Sequence, residues 1–151
     1  MSPEIKLLKG FCNVNFGESL SNVKKIFGDP EEVQSLEDSI LNTSTTVYHY
    51  WEQGFSLFFD NLRNQAFCSV EIDNRDTLLM NTKVFALSEK ELVEFMKQNG
   101  YGLSDMETHE WGEKRVSFDS AGLDCYYENN KMVSVNFGVI EGNDNFYFFP
   151  N

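Results

Sequence analysis

Two histidines, three cysteines and a large surplus of carboxylates are the side chains of this sequence with chemistry to offer. A thiol nucleophile needs a lowered pKa and a nearby histidine. Cys68 and Cys125 stand instead in aromatic, strand-like runs, Phe67-Cys68 and Cys125-Tyr126-Tyr127, where a thiol packs as a small hydrophobe. Cys12, between Phe11 and Asn13, has no assigned place. A metal centre needs ligands clustered at fixed spacing. His49 alternates with Tyr48 and Tyr50 and so falls on the other side of their strand, and His109 in Glu107-Thr108-His109-Glu110 lacks the spacing of a helical zinc motif. Gly142-Asn143-Asp144-Asn145 resembles a calcium loop in composition, but no EF-hand spacing follows and a surface turn is expected. The carboxylate pairs Glu71/Asp73, Asp119/Asp124 and Glu31/Glu32 are of the kind an acidic surface produces by chance, and acid–base work would need a pocket that shifts a pKa. Gly100-Tyr101-Gly102 reads as a helix stop rather than a phosphate cradle. The expectation is a protein with no catalytic residue, no metal and no cofactor.

Charge speaks more clearly. The formal net charge is -12 over 151 residues. Between Lys25 and Arg63 there is no Lys or Arg, while Asp29, Glu31, Glu32, Glu37, Asp38, Glu52 and Asp60 all fall there. Such a chain repels nucleic acid and anionic membranes and attracts basic partners. Fourteen Phe and six Tyr favour a sheet-rich core in one domain. The sequence has no apolar run near the ~20 residues of a membrane span. Its opening, MSPEIKLLKG, lacks the apolar run of a secretory signal, and the odd, unpatterned cysteines suit a reducing compartment. A cytoplasmic protein is expected.

The elements that must position these groups read as one unit written twice. Val23, Ile26 and Phe27 make the apolar face of a first helix, which Gly28 and Pro30 end. Ser88-Glu89-Lys90-Glu91 is a capping box with Leu87 and Leu92 placed as its staple, and Leu92, Phe95 and Met96 repeat the first helix's face at one constant offset. GFSLFFD at Gly54 to Asp60 matches GLDCYYE at Gly122 to Glu128, which sets Cys125 at the place of Leu57. Val70 and Ile72 match Val135 and Phe137 across a shorter loop. Val47 to Trp51 and Arg115 to Asp119 supply one more strand each. Glu31 to Thr46 and Tyr101 to Lys114 read as irregular linkers, the first with room for a short helix at Pro30 to Val33. The predicted fold is α+β: two tandem helix-plus-three-strand antiparallel units, 10–74 and 82–140, forming one sheet with both helices on one face. An aromatic tail, 141–151, is expected to dock as an edge strand or over the core.

The order of Gly10, Phe16-Gly17-Glu18-Ser19, Val23, Phe27-Gly28-Asp29-Pro30, Tyr48-His49-Tyr50, Gly54 to Phe59 and Val70-Glu71-Ile72 resembles the repeats of the β-lactamase-inhibitor-protein-like fold. That group includes small outer-membrane-assembly lipoproteins of the SmpA/OmlA type, and small bacterial immunity proteins open similarly. The resemblance implies a concave sheet that grips a protein. Cys12 has no apolar run before it and the cysteines do not pair, so neither a lipid anchor nor β-lactamase as target is implied. Charge and resemblance together lead to a non-enzymatic protein-binding module, an immunity or inhibitor protein that neutralises a basic partner such as a toxin nuclease. The alternative is a small-molecule or peptide binder, or a cryptic enzyme, using a cleft between the units. The expected partner-binding residues are the steering acids Glu31, Glu32, Glu37 and Asp38, with Phe58, Asp124 and Tyr126 on the sheet.

Overall fold

A computed structural model describes residues 2–140. The aromatic tail and the Gly142–Asn145 turn lie outside the described residues. Chain order runs β1 Glu4–Lys6, β2 Gly10–Phe11, β3 Val14–Asn15, α1 Leu20–Phe27, β4 Glu32–Asp38, β5 Thr43–Tyr50, β6 Phe55–Asp60 and β7 Ala66–Ile72. Then come β8 Leu78–Leu79, β9 Thr82–Lys83, α2 Glu89–Gln98, β10 Asp105–Thr108, β11 Glu113–Phe118, β12 Leu123–Glu128 and β13 Lys131–Gly138.

Both helices start where side-chain acceptors satisfy their first free N–H groups. The Ser19 hydroxyl accepts from the Asn22 N–H at 3.3 Å. In the capping box, the Glu91 N–H donates to Ser88 Oγ at 3.2 Å and the Ser88 N–H to Glu91 Oε1 at 3.0 Å. Val23 of α1 and Leu92 and Met96 of α2 are buried. A tyrosine from the sheet ties down each helix region: the Tyr50 hydroxyl donates to the Gly28 carbonyl, and the Tyr127 hydroxyl to the Leu87 carbonyl.

The expected α+β arrangement of helix-plus-three-strand units in one sheet is not what forms. The fold is mostly β, in two sheets. Eight antiparallel strands run in the order β10-β11-β12-β13-β7-β6-β5-β4, and five short strands, β3-β2-β1-β8-β9, make a second, mixed sheet in which β1 and β8 are parallel. The acidic segment read as a linker is β4, a full edge strand paired with β5 from Glu32↔His49 to Asp38↔Thr43. No helix forms at Pro30 to Val33. The second supposed linker supplies β10, the opposite edge, paired with β11. These strands escaped notice because both lie wholly exposed, so no apolar alternation marks them. Backbone ladders, not burial, hold them in place.

Among the described residues the large sheet has one covered face. Phe55, Leu57 and Phe59 of β6 meet Val70 and Ile72 of β7 and Cys125 and Val135 of the other half in one core. The small sheet and both helices close over it. Phe11 lies 5.0 Å from Phe55 and 5.9 Å from Phe137 between ring centres, and Phe16 lies 5.0 Å from Phe67. The halves join at β7–β13 through only four paired positions, Val135↔Ile72 to Gly138↔Ser69. Here two glycines permit a close approach. A Cβ on Gly138 would sit 2.6 Å from the Cys68 carbonyl oxygen, and one on Gly122 only 2.5 Å from that of Gly138. Each half carries one bulge, which leaves Cys68 and Val133 without a directly opposed residue.

Candidate functional site

Alternation along the strands sends the remaining side chains to the second face. The register places Gln34 and Glu32 of β4, Val47 and His49 of β5, Ser56 and Phe58 of β6, and Ser69 and Glu71 of β7 there. Continuing across the seam come Ser134 and Asn136 of β13, Asp124 and Tyr126 of β12, Arg115 and Ser117 of β11, and Asp105 and Glu107 of β10. Both helices and the small sheet pack against the opposite face, and among the described residues no element covers this one. Phe58, Asp124 and Tyr126 therefore share it, while their neighbours Phe59, Cys125 and Tyr127 belong to the core.

On the first half, His49 ties three strands together. Its Nε2–H donates to Gln34 Oε1 at 2.9 Å, and its Nδ1 is hydrogen-bonded to the Ser56 hydroxyl at 2.7 Å. The order serine, histidine, amide matches nucleophile, base and orienting group in kind. But Ser56 is only 5% exposed. Its strand lies between β5 and β7, so neighbouring N–H groups are committed to the ladders. The network acts as a polar crosslink. The Trp51 indole stacks on the His49 ring at 4.2 Å and 9°, and its Nε1–H donates to Glu32 at 3.2 Å.

On the second half, Arg115 stands on the corresponding strand, one in from the edge, at the position that matches Val47. Its guanidinium reaches Glu107 at 2.7 Å, Asp105 at 3.1 Å and Asp124 at 3.9 Å, and it also donates to the Ser117 hydroxyl. The hydrogen bond from Arg115, aided by His109, holds the Glu107 carboxyl below its ordinary range. Burial, then the charge of Asp124, pushes the Tyr126 phenol up. His109 stacks on Trp111 at 4.4 Å, a second histidine–tryptophan pair at the same end of the sheet as the first.

A recess of about 140 Å³ opens where the halves meet at that end. His49, Trp51 and Ser56 line one side, Glu71 and Asp73 another, and Val133 and Ser134 a third. The bulge at Val133 turns its side chain toward this space. A larger, shallower groove follows α2 from Ser88 to Glu94 and touches Met106 and Asn130. It belongs to the second half and does not lie between the halves.

The four expected steering acids all sit on or beside β4 at the edge of the sheet, with Glu32 on the same face as His49 and Ser56. Glu31 accepts from the Glu52 N–H at 3.0 Å, and Glu37 from the Ser44 hydroxyl at 2.7 Å. Asp38 closes the β4–β5 turn by accepting from the Ile40 and Leu41 N–H groups. Glu31, Glu32 and Glu37 remain exposed. Sequence reasoning gave no role to Arg115 or Gln34 and placed Ser56 beside Phe58 on this face without its histidine partner, because these roles depend on register. The pair Glu71/Asp73, which the sequence reading set aside as chance on an acidic surface, lies at and just past the end of β7, and both residues line the recess.

Burial pushes the Cys68 thiol up to about 12 and that of Cys125 further. Among the described residues no three His, Cys, Asp or Glu gather as a metal site, and no helix is long and apolar enough to cross a membrane. Comparison with protein-family models, with curated proteins and with solved structures finds no match.

Proposed function

We propose that this chain is a non-enzymatic protein-recognition module whose open sheet face and acidic β4 edge take a basic protein partner. One observation supports the reading: among the described residues a sheet of eight strands is covered on one face only, and the other face mixes carboxylates with Phe58, Tyr126 and the flanking Trp51. Aromatic anchors among polar groups are what protein interfaces use at their centres. A charge of -12 adds attraction for a cationic surface and speeds encounter with it. An immunity or inhibitor protein acting on a basic toxin is the form of this proposal that the sequence resemblance implies.

Affinity capture from the native cell identifies the partner. The triple variant E31K/E32K/E37K then tests the steering. Asp38 is left alone because it closes a turn. The association rate should fall about tenfold at low salt and converge with the unaltered protein as ionic strength rises. An unchanged on-rate at low salt sinks the steering role, and a partner of acidic surface sinks the reading as a whole.

A further inference from the structure

We infer that the recess between the two halves is a socket for one protruding cationic side chain, lysine or arginine, of the basic partner; this deepens the recognition reading and rests on it. Size makes the first argument. At about 140 Å³ the recess is far below the roughly 300–1,000 Å³ of small-molecule pockets, and it suits a single side chain.

The wall makes the second argument. Trp51 is fixed from two directions, by the stacked His49 ring and by the bond to Glu32, yet is still 57% exposed. A rigid indole presenting a free face is the best aromatic partner for a cation, and Val133 adds apolar surface for the aliphatic stem.

Charge makes the third. Both ring nitrogens of His49 are engaged, by Gln34 and Ser56, so the ring offers no free hydrogen-bonding edge to a ligand. The ionisable groups left to meet a ligand there are Glu71 and Asp73, both acidic. A neutral side chain would gain only contact with the indole, and an anionic one would be repelled. The Arg115 cluster on the same face has its own cation and is no rival socket.

The test uses acetylated, amidated pentapeptides Gly-Gly-Xaa-Gly-Gly, with Lys, Arg or Gln at the centre. They are titrated into the full chain carrying W111F, so that Trp51 is the sole indole. The Lys or Arg peptide should change Trp51 emission saturably and the Gln peptide should not. E71Q/D73N should weaken that binding at least about tenfold, whereas D105N/E107Q, on the same face, should change it less than about twofold. An equal response to the Gln peptide, or undiminished binding by a folded E71Q/D73N variant, overturns the socket. Because the peptide comparison is made on the unsubstituted site, it decides the matter even if the double variant folds poorly. The captured partner separates the two claims. If it binds E71Q/D73N undiminished while remaining salt-sensitive, the socket fails and the recognition reading stands. If no basic partner is captured at all, the recognition reading fails whatever the peptides do.

Discussion

The two halves of the open face meet one structural need with different chemistry. In each, the strand next to the edge carries a side chain that reaches both neighbours: His49 of β5 joins Gln34 and Ser56, and Arg115 of β11 joins Asp105, Glu107 and Asp124. An edge strand without buried side chains has only its ladder to hold it, so a cross-strand tie has clear value. The first tie is made of hydrogen bonds to neutral groups and consumes no carboxylate. The second places three carboxylates around one cation. The difference decides where carboxylates without a cation remain on this face: on the β4–β7 side, with Glu32, Glu71 and Asp73. The proposed binding surface is thus shaped as much by which charges are already engaged as by how many there are.

The most damaging way to break the comparison is at the seam. Gly138→Val would drive side-chain atoms into the Cys68 carbonyl and Ser69, at a cost of about 3 kcal/mol or more. Urea unfolding followed by Trp51 and Trp111 in single-tryptophan variants should then shift for both probes together, because one core serves both halves. Separate transitions would show the halves to be independent.

Next, Leu57 and Cys125 hold matching buried positions, each 0% exposed. Leu57→Ala should cost about 3 kcal/mol and Cys125→Ala about 1, since the larger deletion leaves the larger cavity. Chemical denaturation checks the ratio, and equal costs would mean that the two sites do not pack alike.

His49→Leu leaves Gln34 and Ser56 without their shared partner and should cost about 2 kcal/mol, with little dependence on salt. Arg115→Leu should instead show its loss chiefly at low ionic strength, because like charges then face one another across β10 and β12. The acid side sharpens this contrast. Glu107 is held below its ordinary range, so its contribution is complete above that range and fades as pH falls through the depressed value. The unaltered protein should therefore lose the second tie in acid, and Arg115→Leu should flatten that part of the stability–pH curve.

The smallest effect near neutral pH is at the thiols. Cys68 is raised from 9.0 to about 12, so its burial favours the fold fully below pH 9 and progressively less up to pH 12. The expected loss is about 1.4 kcal/mol per pH unit in that window, to be read from alkaline unfolding curves with and without Cys68→Ala. At pH 8, a thiol reagent should modify the half-buried Cys12 first and reach Cys68 and Cys125 only on unfolding.

Much of the local structure was legible. The capping box at Ser88 and Glu91 forms as its spacing required, and Leu92 and Met96 are buried as the helical period placed them. Alternation correctly separated Phe58 and Tyr126 from Phe59 and Tyr127. What stayed hidden had no periodic signature. β4 and β10 bury no side chain, and the small sheet is made of pieces two or three residues long whose pairing, Glu4↔Leu78, spans half the chain. The α+β expectation failed on those segments. At the site, Glu71 and Asp73 were noticed as a pair but set aside as chance, and the histidine tie was hidden, because Gln34 and Ser56 become neighbours of His49 only once β4, β5 and β6 are in register.

By itself, then, the sequence determined the acidic surface, the two capped helices, the apolar faces of the central strands and the burial of Cys68 and Cys125. All of these follow from composition or from patterns shorter than a helix. The tertiary structure alone decided which carboxylates meet a cation, which polar groups satisfy His49, and that Trp51, Glu71 and Val133 border one recess. Those contacts join residues far apart in the chain, and hydrogen bonding and charge compensation act over a few ångströms of space rather than along the backbone.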